Sequence, residues 1–121
     1  MTGGLSAAQR QTIKTILANF ANDITRVDIF GSRAEGAHRP NSDLDLVLHG
    51  ALDEAVIDRL WTLFHESNLP FSVDVKSHAL TRYAPIKAHM DKTGITLFTR
   101  EELIRDKTRT AANLKGLRYG E

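Results

Sequence analysis

Asp43 and Asp45 are separated by a single leucine, and a third carboxylate, Asp74, lies inside the run Phe71-Ser-Val-Asp-Val75. In an extended strand, side chains alternate between faces with period two. Asp43 and Asp45 therefore point the same way while Leu44 and Leu46 face a core, and Asp74 is set among inward valines in the same manner. Aspartate is depleted in strands, so three of them amid Val and Leu need a reason. At a separation of about 5 Å and an effective dielectric near 20, each like-charged pair costs roughly 3 kcal/mol. A structural sheet gains nothing from that repulsion, whereas divalent cations remove it. The pattern implies a two-metal phosphoryl-transfer site, with Asp43, Asp45 and Asp74 as catalytic and metal-ligating residues.

Upstream, Gly31-Ser32 closes an apolar run. Gly31 lets backbone approach a phosphate closely, and Ser32 offers a hydroxyl and an N–H. A short helix beginning there would aim its positive end at a triphosphate. Without the nearby Asp-x-Asp, the pair would read as an ordinary strand-ending turn. Arg33 is a fork donor suited to a triphosphate or to leaving pyrophosphate; a surface position or an ion pair with Glu35 fits it nearly as well. Ser42, just before Asp43, is placed to orient a carboxylate or a nucleotide sugar, or to close a turn. His38 and Arg39 sit in the loop over the site. His49, His65, His78 and His89 show no ligand spacing and read as surface or structural histidines. Trp61, in step with Leu60 and Phe64, reads as core or partner interface. Tyr83 and Tyr119 lie in contexts that give no sign of modification.

The elements that must position these residues are legible in outline. Ser6-Ala-Ala-Gln9 reads as a capping box, and Ile13, Ile16, Leu17 and Phe20 form a helical stripe behind it. Thr25–Phe30 alternates, with Val27 and Ile29 inward and Asp28 outward, as a strand does. A loop through Pro40-Asn41 leads to a second strand at about Asp43–His49, closed by Gly50. Residues 53–67 carry a broad apolar face for a long helix, ended by Asn68-Leu-Pro70 before the third strand. Residues 78–92 are predicted to be helical in two pieces, with Pro85 near the start of the second. Gly94 ends them, and Ile95–Thr99 forms a short fourth strand. The connection between the first two strands is too short for a helical crossover. An α/β (α+β) fold is therefore expected, a small mixed sheet of about four strands with helices packed mainly on one side. Residues 100–121 read as a C-terminal helix, acidic early (Glu101, Glu102) and basic late (Lys115), with a frayed end at Arg118–Glu121.

A length of 121 residues fits one domain with a real core. Apolar content of 41% and charged content of 26% are ordinary for a globular protein, and no apolar run approaches a membrane span. No signal peptide is visible at the N-terminus. The absence of cysteine excludes disulfides and thiolate metal sites, in keeping with a cytoplasmic protein. A net charge of +1 gives no strong nucleic-acid signal. The six basic and four acidic residues after position 99 read as a solvated helix face rather than a binding arm.

The string Gly31-Ser-Arg-Ala-Glu-Gly36, followed by Ser42-Asp-Leu-Asp-Leu46 and a third acid at Asp74, resembles the nucleotidyltransferase superfamily that includes DNA polymerase β. Within it, the pattern is similar to the minimal nucleotidyltransferases (MNT). In prokaryotes these are commonly the antitoxin half of two-gene modules whose toxin is a HEPN-domain ribonuclease. The resemblance covers roughly residues 10–99 and implies a nucleotidyltransferase domain over 1–99, with 100–121 as a helical extension of it. It further implies two Mg²⁺ ions (or Mn²⁺) held by Asp43, Asp45 and Asp74, with Asp74 on the ion that acidifies the acceptor hydroxyl. ATP would be the substrate, bound through Gly31, Ser32, Arg33 and Ser42. Glu35 departs from the basic residue often found at its position. Larger members carry an acceptor-binding domain for which this chain has no room, so a second polypeptide should supply it. The implied activity is transfer of AMP from ATP to a tyrosine of a HEPN ribonuclease toxin, within a hetero-oligomeric complex. Two alternatives stay open: an antitoxin that only masks its toxin, and an autonomous nucleotidyltransferase acting on a small molecule.

Overall fold

The computed structural model describes residues 4–36 and 42–108, and for Ser32 and Glu35 the backbone only. The expectations placed on His38, Arg39, Pro40-Asn41, Lys115, Tyr119 and the frayed end at Arg118–Glu121 lie outside the described residues. The chain runs α1 (Ala7–Ala18), β1 (Ile24–Phe30), α2 (Ser32–Glu35), β2 (Leu44–Gly50), α3 (Glu54–His65), β3 (Val73–Ser77), α4 (Ala84–Thr93) and β4 (Ile95–Thr99). Residues 100–108 are again helical.

The helices begin where local chemistry dictates. Ser6 and Gln9 form the reciprocal capping box ahead of α1. Asp53 caps α3 by accepting the Val56 N–H at 2.9 Å. Pro85 stands in the first turn of α4, where its missing N–H costs nothing. The expected first helical piece after residue 77 is instead a turn: the Thr81 N–H and hydroxyl both bond the Ser77 carbonyl, and Ser77 Oγ accepts the Leu80 N–H. These side chain-to-backbone bonds offer that segment an alternative to helix.

The sheet has the order β3-β2-β1-β4 and is mixed. β1 pairs antiparallel with both β2 and β4, whereas β2 pairs parallel with β3. Connection length explains the difference, since the short β1–β2 link cannot make a crossover while α3 provides one between β2 and β3. Leu44, Leu46 and Leu48 of β2, with Val73, Val75 and Ile29, pack against Ile13 and Leu17 of α1 and Leu60 and Phe64 of α3. Leu103 from the helical stretch after β4 joins the same core. The opposite face carries a smaller cluster, where Met90 of α4 packs with Phe30 and Val47.

That covered second face corrects one expectation. Asp28 does not project into solvent but is 4% exposed. Its carboxylate pairs with Arg26 Nε at 3.0 Å and lies 3.1 Å from His49 Nε2. A register shift between Val27 and Asp28 in the β1–β4 pairing accompanies this burial. Among the described residues, no helix is long and apolar enough to cross a membrane.

Candidate active site

Strand pairing brings the sequence-predicted carboxylates to one end of the sheet. In the parallel β2–β3 ladder, Asp45 and Asp74 are register partners, so they stand side by side on the same face. Asp43 stands exposed just before β2, which begins at Leu44 rather than at Asp43, and its charge reaches Asp45. On the other side of β2, Asp45 is the partner of Phe30, the last residue of β1. The next residue, Gly31, turns with φ +77°, a left-handed conformation that favours glycine. A Cβ there would lie 2.8 Å from Asp45 Oδ2, so a side chain at this turn would have to displace the carboxylate. α2 starts immediately afterwards, at Ser32.

The electrostatics match the crowding. Burial, and then the charges of Asp74 and Asp43, push the Asp45 carboxyl above the ordinary aspartate range, while Lys76 opposes them. Lys76 Nζ lies 3.0 Å from Asp74 Oδ2. This cation is absent from the sequence-level site, although a signal for it existed: positions 74 and 76 of one strand share a face.

Arg33 and Ser42 are joined in a way that spacing did not reveal. Arg33 is 3% exposed, which rules out the surface position. Its Nε and Nη2 both donate to the Ser42 carbonyl, at 3.0 and 2.9 Å. The guanidinium also lies over the Phe71 ring, 4.4 Å from its centroid. Burial lowers the guanidinium pKa from its ordinary value. Phe71 in turn lines an open cleft of about 400 Å³ together with Asp43, Phe64, His65, Leu69 and Ser72.

The donor set consists of carboxylate oxygens, the hard ligands that Mg²⁺ and Mn²⁺ prefer. Asp45 and Asp74 share a face, and the Asp74 charge adds to the penalty on the Asp45 carboxylate, which a divalent cation relieves. They do not form a closed cage: among the described residues, no three acidic or imidazole groups are gathered tightly enough to enclose an ion by themselves. An open set of this kind suits Mg²⁺, which retains waters and takes phosphate oxygens as further ligands. Of the histidines, His65 lines the cleft beside Asp43, whereas His49 and His78 lie together at another place. His49 and His78 stack with ring centroids 4.6 Å apart, and His78 Nε2 is 2.8 Å from Asp91 Oδ1.

The family profile described as "Polymerase beta, Nucleotidyltransferase" matches residues 11–103. A curated relative, "Probable protein adenylyltransferase MntA" of Haemophilus influenzae, is 44% identical over 71 residues, covering 57% of this chain and 61% of that protein. The match thus spans under two thirds of the relative's length. Among solved structures, one described as a toxin–antitoxin with AMP-PNP superposes with a TM-score of 0.62 and 20% identity, over 92% of this chain and 90% of that one. A tri-AMPylated Shewanella oneidensis HEPN toxin in complex with MNT antitoxin gives a TM-score of 0.52 at 17% identity, over 91% of each chain. At such identities, these likenesses establish the fold.

Proposed function

Because this chain belongs to the polymerase β nucleotidyltransferase family, we propose that it is a divalent-metal-dependent protein adenylyltransferase and the antitoxin of a HEPN ribonuclease toxin. The observation that carries the chemistry is the side-by-side placement of Asp45 and Asp74, with the Gly31 turn against Asp45. The similarity to the Haemophilus adenylyltransferase supports AMP as the transferred group. The partner rests on what the similar solved complexes contain: in one a toxin–antitoxin with AMP-PNP, in another a tri-AMPylated HEPN toxin beside its MNT antitoxin.

In this proposal Asp43, Asp45 and Asp74 would hold the metal, which supplies charge neutralisation at the triphosphate and acidifies the acceptor hydroxyl. The Gly31 backbone and Ser32 bind the terminal phosphates, and the open cleft beside Asp43 leaves space for nucleotide or acceptor. The acceptor oxygen, a tyrosine hydroxyl, attacks the α-phosphorus; its proton leaves toward Asp74, the α–β bridging bond breaks, and pyrophosphate departs. In the complex the toxin itself positions its hydroxyl, and positioning supplies a large share of the rate.

The test is to mix the chain with its toxin and Mg-ATP. An AMP mass increase on a toxin tyrosine, pyrophosphate release, and ribonuclease activity that stays low after separation are expected. If the toxin's mass never changes while an Asp43→Asn, Asp45→Asn variant still neutralises it, the protein acts by masking and the catalytic proposal is wrong.

A further inference from the structure

We propose that Arg33 is a positioning residue that fastens the three segments of the site to one another, an inference that rests on the nucleotidyltransferase function proposed above. The contacts that define it reach one element of each segment. Arg33 follows the Gly31-Ser32 turn, its Nε and Nη2 grip the carbonyl of Ser42 next to Asp43, and its guanidinium face covers Phe71, three residues before Asp74. Directly beyond this clamp, the Leu44 N–H donates to the Ser72 carbonyl at 2.9 Å, at the end of the parallel β2–β3 pairing. One step further along the same ladder stand Asp45 and Asp74. Arg33 therefore holds shut the end of the β2–β3 pairing at which the carboxylates must be kept in register.

Arginine is the side chain that can do this from a buried position. Two N–H groups of its planar fork converge on one carbonyl oxygen while its face stacks on an aromatic ring, and it stays charged when desolvated. Lysine carries the same charge but has neither the fork nor the flat face. A phosphate ligand would be served by charge in either form, whereas a clamp would not.

Three variants decide the matter. Arg33→Lys keeps the charge, Phe71→Leu removes the stacking face while leaving the fork, and Arg33→Ala opens a site that guanidinium ion can refill. The expected result is faster hydrogen exchange at the Leu44 amide, with unchanged protection in the β1–β2 pairing. It should come with a fall in kcat of about 10–100-fold, the size of effect seen when a supporting partner of a site residue is lost. KM for ATP should stay nearly constant, and low concentrations of guanidinium should restore part of the kcat of Arg33→Ala. Unchanged Leu44 exchange accompanied by a raised KM would make Arg33 a direct nucleotide ligand and overturn the proposal. So would uniform loss of protection across the domain, which marks a merely structural arginine. Should the wild-type protein transfer no AMP at all, the functional proposal falls, while Leu44 exchange still decides the role of Arg33.

Discussion

Gly31 and Asp45 adjoin so closely that a Cβ on residue 31 would stand 2.8 Å from Asp45 Oδ2. The Gly-Ser turn and the Asp-x-Asp strand, fourteen residues apart from Gly31 to Asp45, thus form one surface. Glycine is required there twice, by its φ of +77° and by the carboxylate in front of it. Gly31→Ala should lose about 1–2 kcal/mol of stability from the left-handed backbone alone. Because the obstructing group is a flexible carboxylate, the clash also turns Asp45 away from the metal position. Transfer should consequently fall much further than the thermal midpoint does, which denaturation and steady-state rates measured on one preparation will compare.

Asp45→Asn separates stability from chemistry. The carboxyl is raised by burial and by the charges of Asp74 and Asp43, so the folded state binds its proton more readily than the unfolded chain. The charge therefore works against folding above the ordinary aspartate pKa, and removing it should leave the midpoint at pH 7 equal or higher. AMP transfer should drop by several orders of magnitude. A variant that unfolds, or that transfers at the wild-type rate, contradicts the assignment.

Lys76 is an internal counter-ion to Asp74, at 3.0 Å and on a partly exposed edge. Pairs of this kind contribute about 0–1 kcal/mol, so Lys76→Met should hardly alter stability. It should instead tighten Mn²⁺ binding several-fold, because the cation no longer competes with an ammonium group. Titration of Mn²⁺ followed by electron paramagnetic resonance reads this directly. Weaker binding in the variant would show that Lys76 assists the site instead of opposing the ion.

His49 gives the fold an acid sensitivity. Burial, together with the nearby Arg26, lowers its pKa below the usual 6.5, although Asp28 partly counteracts them. The unfolded chain thus takes up the proton first as pH falls. Stability contributed by neutral His49 is fully present above about 6.5 and is lost on acidification through and below that value. The thermal midpoint should decline between pH 7.5 and 5, and His49→Gln, which keeps polar contacts to Asp28 and Arg26 without titrating, should flatten that decline. An equally steep profile in the variant would place the sensitivity elsewhere.

The sequence alone determined whatever depends on neighbours along the chain. Ser6 and Gln9 cap α1 because three residues of helix place each side chain at the other's backbone. Asp45 faces away from Leu44 and Leu46 because a strand has period two, and the short link after β1 forbids a parallel partner. These are local constraints, carried by residue type and spacing. Tertiary structure alone decided the rest. Asp45 stands beside Asp74 only because β2 chose β3 as its parallel neighbour in this register. Asp28, outward by alternation, is buried because α4 returns across that face. Arg33, polar and next to a turn, points inward because the Ser42 carbonyl and the Phe71 ring meet there from two other segments. Periodicity tells which way a side chain faces, but only the packing of distant segments determines what it meets there.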